Sequence, residues 1–233
     1  MKYQIRTNEL FDLSHTVAGD LLQKCEYPWQ ALPYIGEWIL ALGAALPATR
    51  YEQVAGDVWI AKSAKVAPTA SIGGPCIIGE EAEVRHCAFI RGNALVGNGA
   101  VVGNSTELKN VILFDGVQVP HYNYVGDSIL GYRAHLGAGA ITSNVKCDKS
   151  PVSIRVGESV IETGRKKVGA MAGDHAEVGC GSVLNPGTVL GKGCVIYPLS
   201  CVRGTVPPDV IYKHHSEIAL CRHKNDGKGH GFS

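Results

Sequence analysis

From Ile60 to Val102 an aliphatic residue stands at every sixth position: Ile60, Val66, Ile72, Ile78, Val84, Ile90, Val96 and Val102. Four residues after each comes a small side chain (Ala64, Ala70, Cys76, Ala82, Ala88, Ala94, Ala100, Thr106). This period is neither helical nor strand-like; a fixed short repeat is the mark of a solenoid. Each unit supplies one short strand and one corner, so three units close a triangular coil of roughly eighteen residues. Stacked coils hydrogen-bond as parallel sheets about 4.8 Å apart, with the aliphatic residue inward on its counterpart in the next coil. The small residue also faces in, beside a corner where glycine and asparagine supply backbone angles that other residues disfavour.

The register returns at Val178, Leu184, Leu190, Ile196 and Val202. Between the two runs it slips after Leu108, recovers at Val119 and Val125, shifts by one to Leu130 and Leu136, and is lost from Ser143 to Lys167. Those breaks predict excursions from the prism, and loops leaving a rigid scaffold are where chemistry concentrates. The expected fold is an all-β solenoid, a parallel β-helix of hexapeptide repeats with a short N-terminal helical segment. Its expected divisions are an N-terminal helical cap or linker at 1–55, the β-helix at 56–212 with an inserted loop at 143–167, and a C-terminal tail at 213–233. The stretch PWQALPYIGEWILALGAAL has apolar residues at helical spacing and suits a helix on the end or side of the prism, capping unpaired backbone. The repeat is expected to stop near Pro207. Within the excursion, VSIRV and SVIET flank Gly-Glu as a short hairpin.

A chain of 233 residues with 45% hydrophobic content can bury a real core. Its net charge of +1 gives no overall pull toward nucleic acid or anionic membrane. No apolar run reaches transmembrane length and the start lacks a signal-peptide core, so the expectation is a cytoplasmic protein with no membrane partner. The cysteines are scattered without CxxC pairs, and Cys76 and Cys194 fall on small inward positions as reduced core thiols.

Arg91 and Lys109 each follow an aliphatic repeat residue and stand eighteen positions apart, so they stack in adjacent coils. Two outward cations at one strand spacing suit a shared anion such as phosphate; neutralisation by Glu107 or another carboxylate is the equal alternative. In VPHYNYVGD, Pro120 cannot donate to a ladder and should interrupt the wall. His121 follows it, with an unperturbed pKa suited to taking a proton near neutrality, and Asp127 or a backbone carbonyl could orient its ring. A lone histidine is more often a surface or satisfied residue than a catalyst. HLGAGAITSN, 135–144, offers small residues for close ligand approach and ends on Asn144, a sugar or amide contact or simply a turn residue. Arg165, Lys166 and Lys167 form a basic cluster read here as a solvated face.

FIRGNALVG, GNSTELKN, HYNYVGDSILG and LGAGAITSN together resemble the left-handed β-helix acyltransferases of the hexapeptide-repeat superfamily. The similarity is greatest to the acetyltransferase half of the bifunctional N-acetylglucosamine-1-phosphate uridyltransferase/glucosamine-1-phosphate acetyltransferases. It covers about residues 55–212. It implies acetyl-CoA as co-substrate, His121 as general base toward the amine of a phosphorylated amino sugar of the glucosamine-1-phosphate kind, and a place in UDP-N-acetylglucosamine formation. It further implies Arg91 and Lys109 as phosphate anchors, Tyr124 and Asn144 as sugar contacts, Ala138 beside acetyl-CoA, a homotrimer, left-handedness and no metal. The chain departs from the bacterial pattern at His135 and Val145. It also lacks the glycine-rich nucleotide loop, so no nucleotidyltransferase activity is expected. Two alternatives stand beside this reading. One is a non-catalytic sugar-phosphate-binding or regulatory hexapeptide-repeat protein. The other is a zinc carbonic anhydrase on the same prism, for which His86, His121 and His135 are the candidate ligands.

Overall fold

The computed structural model describes residues 4–213 and the strand Glu217–Leu220. It shows a parallel β-solenoid of about nine turns, the left-handed β-helix with few short helices. Its triangular section has three walls. The first stacks Val58–Ala61, Cys76–Ile78, Ala94–Val96, residues 111–113 and 128–130, Ala170–Ala172, Thr188–Leu190 and Thr205–Val206 in parallel. The second runs from Lys65–Val66 to Val210–Lys213 through Gln118–His121 and His135–Leu136. The third runs from Ser71–Ile72 to Cys201–Val202 through residues 89–90, 107–109, 124–126 and 141–142. The repeat aliphatics fill the interior, and Ile78, Ile90, Val96, Val102, Leu108, Val119, Val125, Leu130 and Leu136 are all fully buried. Cys76 and Cys194 are fully buried among them, and burial pushes the Cys76 thiol up to about 12.

The early breaks in the period are not excursions. Register runs Ala94↔Val111↔Ser128, seventeen residues per coil instead of eighteen, and both missing residues are lost between the third wall and the first. There the strands Glu107–Leu113 and Tyr124–Leu130 run straight round the corner, with Asn110 and Asp127 in the left-handed conformation at φ 54° and 48°. Short Asx side chains adopt that conformation at low cost. Nor does Pro120 interrupt the wall. It is buried within Gln118–His121, which pairs with Val101–Asn104, and Gly103 gives it room, since a Cβ there would overlap the Pro120 carbonyl.

Among the described residues of the coils, the segment from Ser143 to Lys167 leaves the prism. Its ends are tied by an antiparallel bridge between Val145 and Lys167 and by the Val168 amide donating to the Asn144 carbonyl (3.0 Å). The hairpin Val152–Val156/Ser159–Arg165 follows the expected pattern, and its base is docked, since Val152 and Ile154 are fully buried.

The N-terminal segment lies along the first wall instead of capping an end. In seven of the eight first-wall strands an outward residue is apolar (Trp59, Ile77, Leu95, Ile112, Ile129, Met171, Val189), yet all seven are 7% exposed or less. Helix Ile35–Ala45 packs on Cys76–Ile78, Ala94–Val96 and Glu107–Leu113, and Leu10, Leu22, Trp29, Leu32, Ile35 and Ile39 are buried with that row. Asp174 anchors the segment further: its buried carboxylate accepts from the amides of Asp12 (2.7 Å) and Tyr132 (2.9 Å) and pairs with Lys192. The prism's ends are closed by two antiparallel strands. Tyr51–Ala55 pairs with Val58–Ala61, and Glu217–Leu220, in the stretch read as tail, pairs with Val210–Lys213, so coils continue past Pro207. The rest of that tail, including His214, His215 and His223, lies outside the described residues.

Candidate functional site

Shortening the coil at one corner brings four Asx residues into a column: Asn93, Asn110, Asp127 and Asn144, each seventeen residues after the last. Asp127 is its centre. Its side chain is only 4% exposed, and it accepts from Asn110 Nδ2 (2.9 Å), Asn144 Nδ2 (2.6 Å) and Lys109 Nζ (3.3 Å). A buried carboxylate with three donors is a fixed charge that aims Lys109 and Asn144. Arg91, stacked beside Lys109, instead meets Glu107 (2.9 Å). The two stacked cations therefore each have their own carboxylate, the alternative that spacing left open.

Tyr124 closes this cluster. It stands on the third wall, and its Oη accepts from Asn144 Nδ2 (3.3 Å) across Gly126. A Cβ on Gly126 would come within 2.6 Å of that oxygen and 2.9 Å of Asn144 Nδ2, so glycine is what lets the ring reach. Burial, then the Glu107 and Asp127 carboxylates, push the Tyr124 phenol above its ordinary value, against smaller opposing effects of Asn144 and Arg91. The hydroxyl thus keeps its proton at neutral pH and can donate it to a ligand.

His121 stands at the other end of the same wall, at the corner between the second and third walls. Five residues, Tyr122 to Gly126, separate it from Asp127, and the wall strand that begins at Tyr124 lies between them. Its ring is exposed and does not meet Asp127, which is committed to Lys109, Asn110 and Asn144. The corner itself is firm: Asn123, buried, accepts from the His121 amide (3.1 Å) and donates to the carbonyls of Gly137 (2.8 Å) and Ala140 (3.1 Å). Ala138 is exposed one coil on, where the Gly139 amide donates to the His121 carbonyl (2.9 Å). The structure therefore gathers Arg91, Lys109, Tyr124 and Asn144 at one corner and places His121 with Ala138 at the other.

The zinc alternative finds no gathered ligand set among the described residues. His86 Nδ1 lies 2.9 Å from Thr69 Oγ1 and His135 Nδ1 lies 2.8 Å from Glu177 Oε2.

Sequence reasoning gave Asp127 only as a partner for His121 and passed over Asn110 and Asn123. The seventeen-residue Asx column was the signal for the first two. Arg165, Lys166 and Lys167, read as a solvated face, are half-buried in the first case and exposed in the other two, and they line a groove of about 570 Å³ with Lys109, Asp127 and Pro33.

The family described as GMPPB C-terminal domain matches residues 72–163. The bifunctional sugar-1-phosphate nucleotidylyltransferase/acetyltransferase of Sulfurisphaera tokodaii is 33% identical over 109 residues, which are 47% of this chain but only 27% of that relative. YaiX of Escherichia coli K12, an uncharacterised acetyltransferase, is 31% identical over 156 residues, covering 67% of this chain and 68% of that one. Among solved structures, an acetyltransferase of Bacillus cereus superposes with a TM-score of 0.39 at 19% identity, over 72% of this chain and 78% of its own.

Proposed function

The chain belongs to the hexapeptide-repeat acetyltransferases, and from that premise we propose that it moves the acetyl group of acetyl-CoA onto the amine of a phosphorylated amino sugar. The observation that carries this reading is the third wall, with a fixed cluster of cations and amides at one corner and an exposed imidazole at the other. Arg91 and Lys109 hold phosphate, exchanging part of their pairing with Glu107 and Asp127 for the ligand's oxygens. Tyr124 and Asn144 contact the sugar, the phenol donating while the amide is held by Asp127. His121 takes the amine's proton as nitrogen attacks the thioester carbon, the C–S bond breaks, and the same proton passes to the departing thiolate. Such proton transfer contributes about 10²–10⁴-fold, and holding the two substrates together supplies the rest. Ala138 lets the thioester lie close to backbone. In a homotrimer a neighbouring chain completes the cleft beside His121.

The test is thiol release from acetyl-CoA across a panel of phosphorylated amino sugars, glucosamine-1-phosphate first. Release that His121→Ala lowers at least a hundredfold supports the reading; release unaffected by that change removes His121 from the mechanism. The departures at His135 and Val145 favour one second reading, a non-catalytic sugar-phosphate-binding protein. Ligand binding without thiol release for any acceptor would establish it.

A further inference from the structure

At the corner between the second and third walls the coils stack a column of buried side chains: Ala88, Thr106, Asn123, Ala140, Ser182 and Ser200. Asn123 is the one amide among them, and it belongs to the coil that carries His121. Stacking alone does not ask for it. Alanine fills the place one coil on, and Thr106 and Ser182 show what a hydroxyl does there. Each accepts from the amide of the column residue in the next coil and donates to one carbonyl of that coil, Thr106 to Val119 (3.0 Å) and Ser182 to Tyr197 (3.1 Å).

Asn123, 2% exposed, is committed more heavily. Its Oδ1 accepts from the His121 amide, and its Nδ2 donates to the carbonyls of Gly137 and Ala140, the two shoulders of the turn that exposes Ala138. One partner is an N–H and the other two are carbonyls, so a single orientation of the amide satisfies all three. A hydroxyl has one proton to give and could not hold both shoulders. A return bond runs from the Gly139 amide to the His121 carbonyl (2.9 Å). His121 is therefore tied through its amide and its carbonyl to the same turn, and the tie at its amide is buried, where losing a partner is costly.

We propose that Asn123 is a positioning residue: it fixes the distance between the His121 backbone and the Ala138 turn, so that the imidazole meets an acceptor amine facing a thioester that lies on that turn. The role in transfer rests on the transferase reading above; the fixed spacing does not. Buried beneath the corner, Asn123 touches no substrate. Its contribution lies in the alignment of base, amine and thioester, where a displacement on the order of 1 Å costs about 10²-fold. Its loss should therefore lower kcat and leave ground-state binding at the far corner, by Arg91, Lys109 and Tyr124, unchanged.

The experiment uses the full chain as wild type, Asn123→Ala, Asn123→Ser and, as a control from the same column, Ser182→Ala. Alanine and serine both occur in the column, so the coil can fold around either. Hydrogen exchange without substrates should show the His121 and Gly139 amides at least tenfold less protected in Asn123→Ala, while the strand Tyr124–Leu130 keeps its protection. In the thiol-release assay, well below the thermal midpoints, kcat should fall at least tenfold in both Asn123 variants with both KM values within threefold. Ser182→Ala should stay within threefold of wild type. The residual activity of Asn123→Ala should keep the wild-type pH profile, since the base is displaced and not removed. A wild type that turns over, with kcat in the Asn123 variants no lower than in Ser182→Ala, overturns the positioning role and leaves the transferase reading standing. Lost protection at His121 and Gly139, with no thiol release by wild type from any acceptor, upholds the fixed spacing and sinks the transferase reading. Unchanged protection at both amides overturns the fixed spacing itself.

Discussion

At the scale of single residues, Asp127 shows how one buried charge arranges a site. Lys109, Asn110 and Asn144 all donate to it, so its removal takes an acceptor from three donors at once. Asp127→Ala should cost about 1–3 kcal/mol from lost hydrogen bonds. A further ~1–2 kcal/mol follows from placing alanine at φ 48°. Asp127→Asn keeps the backbone preference and should lose less, and the order of the thermal midpoints (wild type, Asn, Ala) checks the decomposition. His135 gives a pH-dependent counterpart. Its hydrogen bond to Glu177, with the carboxylate's charge, raises its pKa against partial burial. The stabilisation is therefore complete below the unfolded imidazole value of about 6.5 and is lost as pH rises through the higher folded value. The stability advantage of wild type over His135→Gln should be greatest near pH 6 and should shrink toward pH 9. An advantage that grows with pH would contradict the assignment.

Among elements, the six-residue register made the walls legible, because an inward aliphatic and a small corner residue leave no other periodic solution. The same register misled at Leu108 and Val125. A coil that drops one residue breaks the sequence period just as an excursion does, and only the strands running round the corner distinguish the two. The hairpin in 143–167 was legible from its alternation, but its docking on the prism depends on contacts between residues far apart in sequence. The placement of helix Ile35–Ala45 was written in the outward row from Trp59 to Val189, which a search for inward positions passes over. Gly43 tests that docking by sign. Glycine to alanine inside an exposed helix ordinarily stabilises by about 0.5–1 kcal/mol. Here a Cβ would lie 2.3 Å from Cε3 of Trp59, a ring only 7% exposed. Gly43→Ala should therefore destabilise by about 1–3 kcal/mol as overpacking does. A raised thermal midpoint would show the helix to be loosely held.

The whole molecule leaves one corner unexplained within a single chain. Where the second wall meets the third, Tyr122 and Leu199 stand at φ 51° and 59°, 66% and 84% exposed. Bulky residues in the left-handed conformation cost about 1–2 kcal/mol each, and a solvated corner offers nothing in return. Glycine fills the same conformation at Gly139 and Gly181 nearby. Phe89 and Ile141 on the adjoining third wall are 47% and 38% exposed, extending the apolar surface. Large apolar residues flanking His121 make sense if a second chain covers them, which is also what the proposed cleft requires. In the homotrimer, light scattering should give three times the 24.7 kDa of one chain, and Tyr122→Asp/Leu199→Asp should give a folded monomer. Thiol release should then fall at least tenfold even though Arg91, Lys109 and His121 are untouched. A monomeric wild type with full activity would place the whole cleft within one chain, and the exposure at Tyr122 and Leu199 would need another partner.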